Sequence, residues 1–162
     1  MKRVQVEWRN TTAHRKWIEK RMLGTLAQRL LTEEGVEGDA FTLSVLLCDD
    51  ETIRRLKKEY WGIAEPTDVL SFPQPPVPGA SPRCLGDIVI SLDTVMREVG
   101  PDKTQAAAYL RLLFVHGLLH LLGYDHTTPA QRRVMRRKQA YYLNCTESQA
   151  WPRPVRATQD AQ

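Results

Sequence analysis

The most constraining feature is a nearly unbroken apolar run, Ala106 to Leu122, that carries histidines four positions apart and stops at a glycine. The spacing predicts a central helix over Thr104–Leu122, ended by Gly123. Three of the chain's four histidines fall in His116-Gly117-Leu118-Leu119-His120-Leu121-Leu122-Gly123-Tyr124-Asp125-His126. Residues four apart share a helix face, so His116 and His120 can aim at one point. A left-handed turn at Gly123 lets His126 swing back as a third donor. Three neutral imidazoles suit Zn²⁺ and leave a fourth position for water. The plainer alternative is a pair of core histidines in an apolar helix. Each would then need a hydrogen-bond partner or cost about 1–3 kcal/mol, and the leucine-rich surroundings offer few. Metal binding is the better reading.

Gly117 inside that helix costs about 1 kcal/mol relative to alanine, a penalty understandable if something approaches the backbone there. The expectation is room for substrate. The spacing is that of metzincin proteases, H-E-x-x-H-x-x-G-x-x-H, but the glutamate that serves those enzymes as general base is Gly117 here. A zinc peptidase is therefore disfavoured. Metal chemistry on a phosphate ester remains open.

Elsewhere, Val4, Val6 and Trp8 alternate with polar residues as in a strand, and Thr12 is expected to cap a helix carrying Trp17, Ile18, Met22, Leu23, Leu26 and Leu30. Strands are predicted at Phe41–Cys48, Thr67–Phe72 and Asp87–Ser91, with a short helix capped by Asp49 or Asp50 after the first of them. Further helices are predicted at Leu92–Val99 and Pro129–Leu143. The stretch Pro73–Pro82 is too rich in proline for regular structure and reads as an extended loop, either a lid or a spacer. The fold class expected is α+β: residues 1–150 as a single domain, a small mixed sheet packed with helices and the zinc site at the end of the central helix, then a flexible tail over 151–162.

Without an apolar run behind its basic start or a span long enough for a bilayer, the chain is expected to be cytoplasmic and free of membrane contact. Cys48, Cys84 and Cys145 are far apart and odd in number, which argues for reduced thiols. Lys and Arg outnumber acidic residues 23 to 19, for a net charge of +4, a weak bias toward polyanions such as RNA.

At this point the residues resemble a known family. H-G-L-L-H-L-L-G-Y-D-H is similar to the signature of the YbeY endoribonucleases, or rRNA maturation factors. Pro66-Thr67-Asp68-Val69-Leu70-Ser71-Phe72-Pro73 and Leu85-Gly86-Asp87-Ile88-Val89-Ile90 match two further blocks in the expected order. The resemblance covers roughly residues 40 to 145. It implies zinc on His116, His120 and His126, a catalytic role for His116, and single-strand-specific cleavage in 16S rRNA 3′-end maturation and ribosome quality control. It also implies small-ribosomal-subunit components as partners; no DNA substrate is expected.

One block departs. Where the family reads L-N-x-x-Y-R-x-x-D, this chain has Leu56-Lys57-Lys58-Glu59-Tyr60-Trp61-Gly62-Ile63-Ala64. Tryptophan cannot offer the charged, bidentate fork that arginine gives a phosphate. Trp61 stacking on an unpaired base, or Lys57 and Lys58 supplying charge, are the compensations available. The same exchange favours the rival reading, a catalytically weak ribosome-assembly factor with a structural zinc. Arg132 and Arg136, in the cluster Arg132, Arg133, Arg136, Arg137 and Lys138, either track an RNA backbone or form a solvated face. Asp125 either orients a ligand as an outer partner or is a turn aspartate. Asp68 and Asp87 read as turn caps, Ser71 as a polar strand position, and His14 as unconnected with metal.

Overall fold

A computed structural model describes residues 1–63 and 67–153; Ala64 and Pro66, named above, and 154–162 of the expected tail lie outside them. The elements run β1 (Arg3–Asn10), α1 (Lys20–Glu33), β2 (Ala40–Cys48), α2 (Asp50–Trp61), β3 (Val69–Pro73), β4 (Arg83–Ser91), α3 (Leu92–Val99), α4 (Lys103–Leu121) and α5 (Pro129–Leu143), then a short 3₁₀ turn at Glu147–Gln149. The sheet order is β1-β2-β4-β3, with β1, β2 and β4 parallel and β3 antiparallel at one edge. This is the expected mixed sheet, with helices on both faces.

Strict alternation in β2 sends Phe41, Leu43, Val45 and Leu47 into the main core beneath α1 and α4. A smaller cluster on the other face joins Cys48, Leu70 and Val89 to Ile53 of α2. Helix α4 lies deepest: of its residues from Leu112 to Leu119, all are buried. Asp102 caps it, its carboxylate accepting from the Thr104 and Gln105 amides at 2.9 and 3.3 Å. No helix among the described residues is long and apolar enough to cross a membrane.

The glycine within α4 has a reason other than substrate room. A Cβ at Gly117 would lie 2.9 Å from Ile88 Cγ2 and 3.2 Å from Ser71 Oγ, so the helix rests its backbone on β4 and β3. The Ser71 hydroxyl donates to the Gly117 carbonyl at 3.2 Å. The predicted start of α1 is also corrected. Asn10 Oδ1 accepts from the Thr12 amide and hydroxyl at 2.9 and 2.7 Å, while its Nδ2 donates to the His14 carbonyl at 2.7 Å. These local bonds compete with helix formation and delay α1 until Lys20. Trp17 and Ile18 are buried all the same, and His14 Nδ1 accepts from the Trp17 indole at 3.2 Å.

Two positions on the β3–β4 hairpin are constrained unusually tightly. Gly86, at φ +127°, faces Pro73, and a Cβ there would fall 2.1 Å from the Phe72 carbonyl oxygen. Asp68 precedes β3, is 7% exposed, and accepts from the Tyr109 hydroxyl at 3.4 Å. Burial raises its pKa to about 6, against the opposing pull of nearby backbone amides and Tyr109.

Gly86→Ala should therefore cost about 2–4 kcal/mol in urea unfolding, because both the backbone conformation and a rigid carbonyl forbid the methyl group. Asp68 gives a pH signature. Its folded pKa lies above the unfolded value, so its contribution to stability is fully present below about pH 4 and is lost as pH rises through about 6. Asp68→Asn should lose about 2–3 kcal/mol less than the parent protein between pH 4 and pH 8, measured by the same method.

Candidate metal centre

Helix α4 ends in a Schellman turn that delivers the third histidine. The Gly123 amide donates to the His120 carbonyl at 3.0 Å and the Tyr124 amide to the Leu119 carbonyl at 3.1 Å, with Gly123 at φ +100°. Tyr124 then anchors the turn: its hydroxyl donates to Glu34 at 2.5 Å, as does that of Tyr142, and Lys138 adds a third bond at 3.1 Å. Burial opposes ionisation of Glu34, but these three donors outweigh it and hold the carboxyl below its usual pKa.

With the turn fixed, His116, His120 and His126 converge, their donor atoms all within 4.8 Å of one another. The Nε2 atoms of His116 and His120 are 3.2 Å apart. The edge of a tetrahedron around zinc with nitrogens at about 2.0–2.1 Å is about 3.3 Å, so this pair already fits such an ion. Among the described residues no fourth histidine, cysteine or carboxylate joins the group. Burial, helped by the neighbouring His120, lowers the His116 pKa to about 3; burial also lowers that of His120. Both are thus neutral at pH 7, the form a metal requires.

Gln139 is the partner that the sequence reading missed. Fully buried on α5, it places Oε1 2.8 Å from His116 Nδ1. As acceptor it fixes the proton on Nδ1 and leaves Nε2 bare toward the cluster. Its amide nitrogen donates to the Ala150 carbonyl, tying the C-terminal segment to the same histidine. Asp125, by contrast, is exposed and its carboxylate accepts from the backbone amide of His126 at 2.8 Å, so it shapes the turn.

The histidines line a cleft of about 530 Å³, together with Trp61, Asp68, Ser71 and Trp151. Of the RNA contacts expected from sequence, only Trp61 is among the described residues lining it. Lys57 and Lys58 lie one turn earlier on α2, half-buried and exposed respectively, and Arg132 is exposed on α5. Arg136 reaches the site indirectly, its guanidinium 5.4 Å from the centre of the Trp151 ring. Trp151, expected to open the flexible tail, packs edge-on against His116 and His126, with centroids at 5.3 and 5.2 Å. The one signal for it was a large aromatic in an otherwise polar segment.

Comparison with known proteins identifies the family. The family model described as endoribonuclease YbeY matches residues 5–147. An endoribonuclease YbeY of Anaeromyxobacter sp. (strain Fw109-5) is 50% identical over 98 residues, covering 60% of this chain and 50% of that protein. The counterpart of Pelotomaculum thermopropionicum is 42% identical over 129 residues, covering 75% of this chain and 82% of that one. The chain thus spans about half the length of the former relative and most of the latter. A solution structure from Thermotoga maritima shares the fold, with TM-score 0.50 over 91% of this chain and 89% of that one at 23% identity. By the match over residues 5–147, which takes in all three histidines and Gln139, this chain belongs to the YbeY family.

Proposed function

We propose that this protein is a zinc-dependent endoribonuclease that cuts single-stranded RNA in 16S rRNA 3′-end maturation and ribosome quality control, in the cytoplasm and beside small-subunit components. The observation that carries the reading is the convergence of three imidazoles, donors within 4.8 Å, on the wall of an open cleft. Membership of a family of endoribonucleases supplies the reaction class.

His116, His120 and His126 would hold one Zn²⁺ per chain. Bound there, zinc supplies Lewis acidity toward a phosphate oxygen or a bound water. The chain's own part is orientation. Gln139 sets the His116 tautomer, the Gly123 turn sets the position of His126, and Gly117 leaves no carboxylate beside the first ligand. Three protein donors beside a cleft suit a centre with an open position better than a closed structural one. Lys57, Lys58, Arg132 and Arg136 would contribute positive charge for the strand approaching the cleft, and Trp61 an aromatic face. In this reading Asp125 acts as an outer partner only by holding the turn that carries His126. Trp61 in place of the family arginine is the feature that favours the rival, an assembly factor with little catalysis.

Zinc-replete protein should cleave a labelled single-stranded 16S 3′-end RNA, and His120→Ala, purified identically, should not. Equal background cleavage by both would favour the assembly-factor reading. Gln139→Leu should weaken zinc binding about 10–100-fold in a chelator competition, because His116 loses the acceptor that fixes its tautomer. Unchanged affinity would show that Gln139 matters only for packing.

A further inference from the structure

Two tryptophans, one at the end of α2 and one in the irregular C-terminal segment, share the cleft with the histidines. Trp61 ends α2 and is 48% exposed, an unusual position for the largest side chain. It is held rather than loose: Phe72 lies beneath it with ring centroids 5.2 Å apart, and also supports Tyr60 at 5.0 Å. Trp151 is held from another side. Fully buried Ala150 anchors its backbone, the Arg153 amide donates to the Tyr109 hydroxyl at 3.0 Å, and the Arg136 guanidinium lies over its ring. Trp61 is exposed and Trp151 half-buried, and both line the cleft.

We propose that Trp61 and Trp151 form a nucleobase site beside the histidine cluster, which holds an unpaired base next to the phosphate that the cluster engages. The inference rests on the RNA reading above and adds to it the group recognised. Stacking on an indole is open to every base, so the site is sequence-tolerant. A paired base has its faces covered by its neighbours and cannot enter, which gives single-strand selectivity a physical origin. A cleft of about 530 Å³ is the size of a small-ligand pocket and accommodates one or two nucleotides rather than a duplex. Arg136, drawn against Trp151, adds positive charge beside the base and strengthens stacking on that ring. On this account the aromatic at position 61 replaces a phosphate grip with a base grip.

The test compares two probes with no internucleotide bond to cut, adenosine 5′-monophosphate and ribose 5-phosphate, titrated calorimetrically into zinc-replete protein. Both carry the phosphate; only the first carries a base. The nucleotide should bind about tenfold tighter or more, as stacking on an aromatic side chain implies. Trp151→Ala and Trp61→Ala should each narrow that gap severalfold, while Trp→Phe at either position keeps most of it. Ribose 5-phosphate measured on each variant is the reference, so the gap reads the base alone, and a zinc content equal to the parent's shows that each variant has folded with its metal site intact. Equal affinity for the two probes in the parent protein would overturn the proposal, as would a gap untouched by both alanine variants. A base-dependent gap in a protein that cleaves no RNA would uphold the site and sink the nuclease reading. RNA cleavage without a gap would do the reverse.

Discussion

The contact between the α4 backbone at Gly117 and the side chains of Ile88 and Ser71 sets the rest of the site in place. A helix that carries two metal-binding groups must be fixed both in rotation and in distance from the cleft wall. Close approach at a residue without a side chain supplies both constraints at once. Any larger residue there would overpack the interface, at a cost of order 1–3 kcal/mol, and lift His116 and His120 away from β3. The same strand provides Ser71 for the helix carbonyl and Phe72 as the support of Trp61, so one edge of the sheet positions the metal ligands and the aromatic wall together.

From that fixed helix a second chain of contacts reaches the third ligand and the C-terminal segment. The Schellman turn fixes where the chain leaves α4, and Glu34 gathers Tyr124, Tyr142 and Lys138 so that α1, the turn and α5 are tied together. Gln139 then joins His116 to Ala150. Burial keeps the inner imidazole neutral, and the glutamine decides which of its nitrogens faces the cluster. Orientation and protonation are thus set by the protein before any ion binds.

Much of this was legible in the sequence because it was local. The strand alternation, the bounds of α3 and α5, the glycine stop after α4 and the histidine spacing all depend on neighbours a few residues away. What escaped depends on distant partners. Gly117 was read as space for substrate because Ile88, which fills that space, lies on another element. Gln139 sits among arginines and lysines, yet it follows Met135 and precedes Tyr142 on a buried face, so its i, i+4, i+7 spacing was the available signal. The α1 start failed because the Asn10 and Thr12 side chains bond locally in preference to capping a helix. Trp151 was assigned to the tail by its prolines, whereas its indole joins the site.

X-ray absorption at the zinc edge of the metal-loaded protein reads the ligand set of the histidine centre. The expected spectrum shows one zinc per chain with three imidazole nitrogens and one further light atom, all at about 2.0–2.1 Å, the pattern of a centre with an exchangeable position. A sulfur shell at about 2.3 Å would contradict it, since no cysteine belongs to the described histidine group. A fourth imidazole would also contradict it, by closing the centre against substrate.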